Sequence, residues 1–437
     1  MKFKNPAIII IFVFSIFAFF YFLYKDLNAP DSLKGYYATQ GYFFVFLAII
    51  SFVISFFDKK IHSYFFIILF SSIMSFYLFE SFIFYKGKIK LFMSSEEHYR
   101  NDNRALQNEI KKKGGNISIS LRENYLISFS GISNSKIIFC NEDDFFSTYT
   151  SDRNGFNNPD YVWDEKILDV VIIGDSMTHG ACVNAGDDIT SYVRKLSSLN
   201  AINLGWKRTG TLNQYASYLE YIEKKPRYIF WVYHESDLIE LEEEMKNDIL
   251  LSYYNNEKYR QNLKDKRAKI DFFIKKKQEN FMQTSFKTAK ISKYKNFLDF
   301  LKLYKTRQLV LYKLSGIIKS NKKTYYPDDN KTLNFYFNII DKMKKNTDQN
   351  NTKLVLVYLP VIEYGFSKKV DRLKNIKQKI VNKAVKSNIG FIDIETSIKE
   401  SFFLPGILYP KQHPGNHFNK LGYKFIAEKI VEFINEN

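Results

Sequence analysis

Five short apolar runs after residue 164, at 168–173, 201–204, 228–233, 354–359 and 390–394, are each bounded by turn residues and separated by stretches of helical spacing. Strands that alternate with helices cross over to lie parallel, so the pattern predicts an α/β fold with a parallel sheet flanked by helices. The intervening segments carry apolar stripes: Leu212, Tyr215, Leu219 and Ile222 in one, Leu421, Phe425, Ile426 and Ile430 in another. At that spacing they are core stripes that pack on a sheet, not cofactor boxes. Between the third and fourth runs lie residues 238–352, too many for a loop. Their helical periodicity, rich in Lys, Tyr and Phe, predicts a helical insertion that caps one end of the sheet. No solenoid-type repeat is visible.

The N-terminal block has a different solvent. Residues 7–24 carry no charge over 18 positions, close to the length a helix needs to cross a bilayer. Residues 41–57 are also uncharged, and 64–85 are apolar apart from serines and Glu80. Three transmembrane helices are expected within residues 1–86, a lead-in segment at 87–164, and the main domain at 165–437. A cleaved signal peptide is disfavoured, because the first run exceeds the usual length and no small-x-small site follows it. Glu80 lies within two turns of the aqueous end, where a carboxylate reaches headgroups. Lys2, Lys4, Lys59 and Lys60 belong inside by the positive-inside rule. Three crossings then make this a multi-pass protein of the cytoplasmic membrane with everything after Tyr85 outside. The Lys86, Lys88 and Lys90 cluster argues against that orientation.

The chain has 64 basic against 46 acidic residues, a net charge of +18. Such a balance favours an anionic partner, lipid headgroups or an acidic polysaccharide. No helix-turn-helix, zinc-finger or RNA-binding pattern accompanies it, so nucleic acid is not an expected partner. Two cysteines, Cys140 and Cys182, make neither a disulfide scaffold nor a paired-cysteine zinc site. One bridge outside the cytoplasm and two buried thiols both fit.

The chemistry concentrates in VVIIGDSMTHGACV, residues 170–183, where a β-branched run ends on Gly-Asp-Ser. In a parallel sheet, ligands gather at the carboxyl ends of strands. A tight strand-to-helix turn there displays the Ser176 hydroxyl, with Gly174 and Gly180 letting the backbone bend. Serine needs a base to take its proton. His179 would ride on the emerging helix and point elsewhere; His417, on a loop just before the terminal helix, is the stronger candidate. Asp175 is expected to brace the turn through nearby amides, and Asp237 likewise. His179 and His234 near these carboxylates match no common metal-ligand spacing, so no metal and no other cofactor is expected.

From about residue 152 to the C-terminus the chain resembles the SGNH (GDSL-type) hydrolase superfamily. GDSMTHG looks like its first block with Ser176 as nucleophile, and NLGWKRTG like its second with Gly205 as a backbone donor. FWVYHESDL is similar to the third, with Ser236 where the family usually has asparagine, and HFNKLGY to the last with His417 as base. SDRNGFNNPD, ahead of the first strand, resembles the lead-in of membrane-linked and polysaccharide-associated members. The resemblance implies a flavodoxin-like SGNH domain and an oxyanion hole from the amides of Ser176 and Gly205 with Ser236 as third donor. Losing one such donor costs about 10²- to 10³-fold in rate.

A second departure concerns the acid that orients the histidine, which the family commonly places three residues before it. Pro414 stands there, leaving His413, Asn416 or Asp393 as substitutes, or a dyad held by a backbone carbonyl. The implied function is a membrane-anchored serine esterase that removes acyl groups, most simply O-acetyl, from a cell-surface glycan through a Ser-His acyl-enzyme. O-acyl transfer to such a glycan uses the same residues and would call for a membrane partner that supplies the acyl donor. A non-catalytic glycan-binding or scaffold subunit on the same fold is the reading that the Ser236 and Pro414 departures favour.

Overall fold

The computed structural model describes residues 5–28, 36–86, 95–142, 145–304, 306–307, 329–360, 368–401, 405–410 and 417–437. The chain divides into two units, Met1–His98 with Ile291–Lys322, and Tyr99–Lys290 with Lys323–Asn437.

The first unit holds α1 (Pro6–Leu27), α2 (Tyr36–Ile54) and α3 (Lys59–Lys86). Asn5 caps α1 by accepting from the Ala7 amide at 3.0 Å, with Pro6 at the first helical position. The α1 and α2 helices pack through aromatic rings, Phe22 stacking on Phe44 and Phe12 tilting against Phe52. Among the described residues, two helical segments, Pro6–Leu27 and Lys59–Ile83, are long and apolar enough to cross a membrane. This corrects the expected three. The apolar part of α2 is Gly41–Ile54, which at 1.5 Å per residue spans roughly 21 Å against a hydrocarbon core of about 30 Å. Glu80 also differs from expectation: it is buried, and its Oε2 accepts from the Thr306 amide and hydroxyl at 2.7 Å each instead of reaching headgroups.

The second unit is built on five parallel strands: β6 (Val170–Ile173), β7 (Ala201–Asn203), β8 (Tyr228–Tyr233), β9 (Lys353–Tyr358) and β10 (Gly390–Asp393). Their order, β10-β9-β8-β6-β7, is the flavodoxin-like one. Every pairing is parallel, with Val170 opposite both Ala201 and Tyr228. Alternation along each strand feeds two cores. Val170, Ile172, Phe230, Val232, Val355 and Val357 face one side; Val171, Ile173, Ile229, Trp231, Leu354 and Leu356 face the other. All twelve are buried, as a sheet covered on both faces requires.

The first face is covered by α6 (Ile189–Ser197) and by the terminal helix α14 (Lys420–Glu436), through Val193, Phe425, Ile426 and Ile430. Leu421, expected in that stripe, is half exposed, because Asn419 caps the helix just before it and the first turn faces outward. The other face takes α7 (Thr211–Tyr221), α8 (Ser236–Glu244), α9 (Asp248–Asn255), α10 (Arg267–Leu301), α11 (Asp329–Gln349) and α12 (Lys368–Lys386). Residues 238–352 are thus mostly helical where they are described, with a non-helical stretch at 256–266, and α8, α9, α11 and the start of α10 pack on this face.

Residues 95–164 do more than lead in. Helix α4 (Ser95–Lys113) precedes β1 (Asn116–Ile117), the hairpin β2 (Arg122–Glu123) with β3 (Leu126–Ile127), and the antiparallel pair β4 (Lys136–Ile138) with β5 (Thr148–Thr150). Leu121, Phe129, Ile137 and Phe156 join the core that contains Trp231. The SDRNGFNNPD loop is organised by buried Asp152, which accepts from the Asn154 and Phe156 amides, Asn158 Nδ2 and Trp163 Nε1. Arg267 of α10 locks the same loop by donating to the Gly131 and Asn154 carbonyls.

The start of α7 depends on a distant carboxylate. Gly210 offers no capping side chain, so Glu244 accepts from the amides of Gly210, Leu212 and Asn213 at 2.7, 3.1 and 3.1 Å. Burial still pushes Glu244 up to about 7, and burial with the nearby Asp175 and Glu244 charges pushes Glu240 up to about 8. The folded chain therefore holds these protons more tightly than the unfolded one. Their contribution to folding is present below the ordinary value of 4.5 and is lost as pH rises through 7 and 8. The thermal midpoint of the full chain in mild detergent should fall from about pH 5 to about pH 8.5, and Glu240→Gln should flatten that fall. A midpoint that rises over this range contradicts the assignment.

Candidate active site

The turn after β6 sits at the edge where the chain reverses from β7 on one side of β6 to β8 on the other, the crevice in which open α/β sheets bind ligands. Ser176 opens a single helical turn, α5 (Ser176–His179), capped by Asp175, whose Oδ1 accepts from the Met177 amide at 2.9 Å. Gly180 ends that turn at φ 81°, a left-handed conformation that costs glycine little. The turn is short because its two caps, Asp175 and Gly180, leave only four residues between them.

His417 stands directly before the segment that caps α14, and its Nε2 lies 3.0 Å from Ser176 Oγ. Its Nδ1 lies 2.7 Å from Glu142 Oε1, with the two side chains 23% and 13% exposed. A carboxylate at Nδ1 only accepts, which fixes the proton on Nδ1 and leaves Nε2 free to accept from the serine hydroxyl. Alcohol, imidazole and carboxylate therefore stand in the order that a serine nucleophile needs.

Glu142 was not among the residues that the sequence singled out. It lies 275 positions from His417 and belongs to the connection between β4 and β5. Of the residues considered for its role, Asp393 caps α13 (Ile394–Glu400) through Thr396 and pairs with Lys377 at 2.7 Å. Pro414, His413 and Asn416 lie outside the described residues. The one sequence signal was Cys140, two positions before Glu142. It is bridged to Cys182, six positions after Ser176.

The expected oxyanion donors are arranged differently from the family pattern. Gly205 packs so closely under α5 that a Cβ there would meet His179 N at 2.4 Å, and its amide donates to Asn203 Oδ1 at 2.8 Å. That amide is already committed, which corrects its reading as a free donor. Ser236 Oγ lies 3.0 Å from Asp175 Oδ2 and 2.8 Å from His234 Nδ1, so its single proton has acceptors at hand. In this arrangement Ser236 braces Asp175 instead of pointing a free hydroxyl at an oxyanion. The Ser176 amide, at the first position of α5, is one of the donors a helix leaves unpaired.

Asp237 accepts from the His234 amide and Gln214 Nε2, and burial followed by the Asp175 charge raises it well above the carboxylate range. His179 is wholly buried, stacked on Trp206 and tilted against Phe139, with Nε2 2.8 Å from the Tyr149 hydroxyl. Burial, and then the Lys207 and His417 charges, hold it well below the usual imidazole range. Neither His179 nor His234 forms a metal-like cluster with Asp175 or Asp237. Among the described residues, ligand-type atoms converge within 4.8 Å only at Glu142, Cys182 and His417. The Cys182 sulfur is committed to its disulfide and offers no thiolate.

No protein-family model and no curated protein matches the chain. Among solved structures it is similar to a protein assigned to the lipolytic G-D-S-L family from Desulfitobacterium hafniense DCB-2, at 15% identity over 61% of this chain and 98% of that one, TM-score 0.34. A member of the lipolytic G-D-S-L family from Veillonella parvula DSM 2008 is similar at 11% identity, over 62% and 100% of the two chains, TM-score 0.31. A protein assigned as an acylhydrolase from Bacteroides fragilis NCTC 9343 is similar at 14% identity, over 63% and 94%, TM-score 0.34. In this chain Ser176 Oγ, the His417 ring and the Glu142 carboxylate stand in line.

Proposed function

We propose that the chain is a membrane-anchored serine esterase of the SGNH kind that removes O-acyl groups, acetyl foremost, from a cell-surface glycan. The observation that carries this reading is the relay itself: Ser176 Oγ 3.0 Å from His417 Nε2, and His417 Nδ1 2.7 Å from Glu142 Oε1. Ser176 attacks the ester carbonyl as Nε2 takes its proton, and the Glu142 carboxylate offsets the imidazolium that forms. The carbonyl oxygen becomes an oxyanion, stabilised by the Ser176 amide. Collapse breaks the ester C–O bond, and the sugar oxygen leaves with the proton from Nε2. Water, deprotonated by the same nitrogen, then attacks the acyl-enzyme and releases the carboxylic acid, which restores the serine.

Several observations support the setting. Phe17 and Leu27 of α1 and Phe70 of α3 expose about two-thirds or more of their surface, an apolar face that lipid covers better than water. The Cys140–Cys182 bridge suits an oxidising compartment outside the cytoplasm. The charge of +18 favours an acidic glycan surface. A completed relay argues against a scaffold that has lost its chemistry.

The test uses the full chain in mild detergent with a chromogenic acetyl ester and with acetylated and bare acidic glycans. Acetate release, with an organophosphonate labelling Ser176 in the wild type and not in His417→Ala, is the expected result. Acetyl appearing on the bare glycan in place of acetate would make the protein a transferase. Silence toward probes of several sizes would leave the scaffold reading.

A further inference from the structure

We infer that the Cys140–Cys182 disulfide is a positioning device for the relay: it holds Glu142 against His417, and the reactivity of Ser176 depends on it through Glu142. This rests on the esterase reading. Cys182 is coupled to the nucleophile turn, because the Ala181 amide donates to the Ser176 carbonyl at 3.0 Å, and the Ala181 carbonyl accepts from the Tyr423 hydroxyl of α14 at 3.0 Å. Cys182 also adopts φ 65°, a left-handed backbone that a non-glycine residue rarely takes. Its side chain reaches the loop between β4 and β5 through the bond to Cys140.

On the far side of the bridge, the Cys140 carbonyl accepts from the Ser147 amide and the Ser147 carbonyl accepts from the Phe139 amide, at 2.9 Å each, at the mouth of that loop. Glu142 follows two residues later, within about 7 Å of chain. The Cys182 sulfur lies 3.8 Å from His417 Nδ1, the same nitrogen that meets Glu142. The crosslink thus joins the segment that carries the serine to the segment that carries the acid, beside the ring that connects them. Besides the bridge, the strands flanking the loop reach the nucleophile segment through Thr148, whose amide donates to Asn184 Oδ1 and whose carbonyl accepts from Ala185, and through Tyr149 and Phe139, which meet His179. Those contacts hold the strands; the disulfide is the covalent tie at the entry of the loop, two residues from Glu142.

A structural staple and a positioning device predict different double-mutant cycles. Organophosphonate labelling at Ser176 and turnover of the chromogenic ester are measured on the full chain. Four forms are compared: wild type, Cys140→Ser with Cys182→Ser, Glu142→Gln, and the triple variant. The expected loss from removing the bridge is about 10²-fold when Glu142 is present, the scale of an ångström-level misplacement, and under about 3-fold in the Glu142→Gln background. Equal losses in both backgrounds, or none when Glu142 is present, overturn the inference. If the serine variants do not fold, the bridge of the folded wild type is opened by a dithiol. Two thiols then form as the reagent closes into its own disulfide, and the rate should fall and return on reoxidation; an unchanged rate overturns the inference. A wild-type chain that never labels sinks the esterase reading and this inference with it, whereas a labelled chain indifferent to the bridge sinks the inference alone.

Discussion

Ser176→Ala and His417→Ala each lower ester turnover by about 10⁴- to 10⁶-fold, and the double variant is no slower than the worse of the two. The non-additivity is the informative part. The two groups act as one unit through the 3.0 Å contact between Ser176 Oγ and His417 Nε2, so removing either leaves the other without a task. Residual hydrolysis above the uncatalysed rate remains, from binding and from the oxyanion donors alone. Measuring kcat and KM for all three variants on one chromogenic ester checks this, with thermal midpoints showing that the folds survive. If the two losses multiply, the groups work separately and the relay is not the catalyst. His179 offers the contrast: stacked on Trp206 and bonded to Tyr149, it serves packing, and its replacement should appear in the thermal midpoint first.

The sheet was legible because its information is local and redundant. Each of the five strands is a short, largely apolar run that closes at a turn, and all five fall within two residues of the segments read from sequence. That Ser176 and His417 meet was legible for a related reason. Each sits beside an element boundary with its own chemistry, the glycine-bounded turn for Ser176 and the Asn419-capped helix start for His417.

What escaped was long-range. Glu142 lies in a loop with no pattern of its own, and only the pairing of two cysteines 42 positions apart ties it to the site. Gly205 was read as a donor because its block resembles one, yet only coordinates reveal that Asn203 occupies its amide. The second membrane span was overcounted because an uncharged run says little about where its helix begins and ends. Leu421 was assigned to the core by spacing alone, although the first turn of a capped helix faces outward.

Glu142→Gln should lower kcat by about 10²- to 10⁴-fold with little change in KM. The amide keeps the size of the side chain and its place in the loop. Through its oxygen it still accepts the Nδ1 proton, but it offers no charge against the imidazolium; through its nitrogen it donates to Nδ1 and drives the proton to Nε2, where it blocks acceptance from Ser176. Either outcome raises the barrier to proton transfer without touching the pocket that binds substrate, which is why the loss belongs in kcat. Asp393→Asn is the matched control, since Asp393 is occupied with Thr396 and Lys377, and its loss should cost stability while kcat stays within about tenfold. Asp393 is the carboxylate that the sequence offered and Glu142 the one that lies against the ring, so the pair of variants reads out which one works with it. A large kcat loss in Asp393→Asn with a near-normal Glu142→Gln would mean that the 2.7 Å contact at Nδ1 is not the working one.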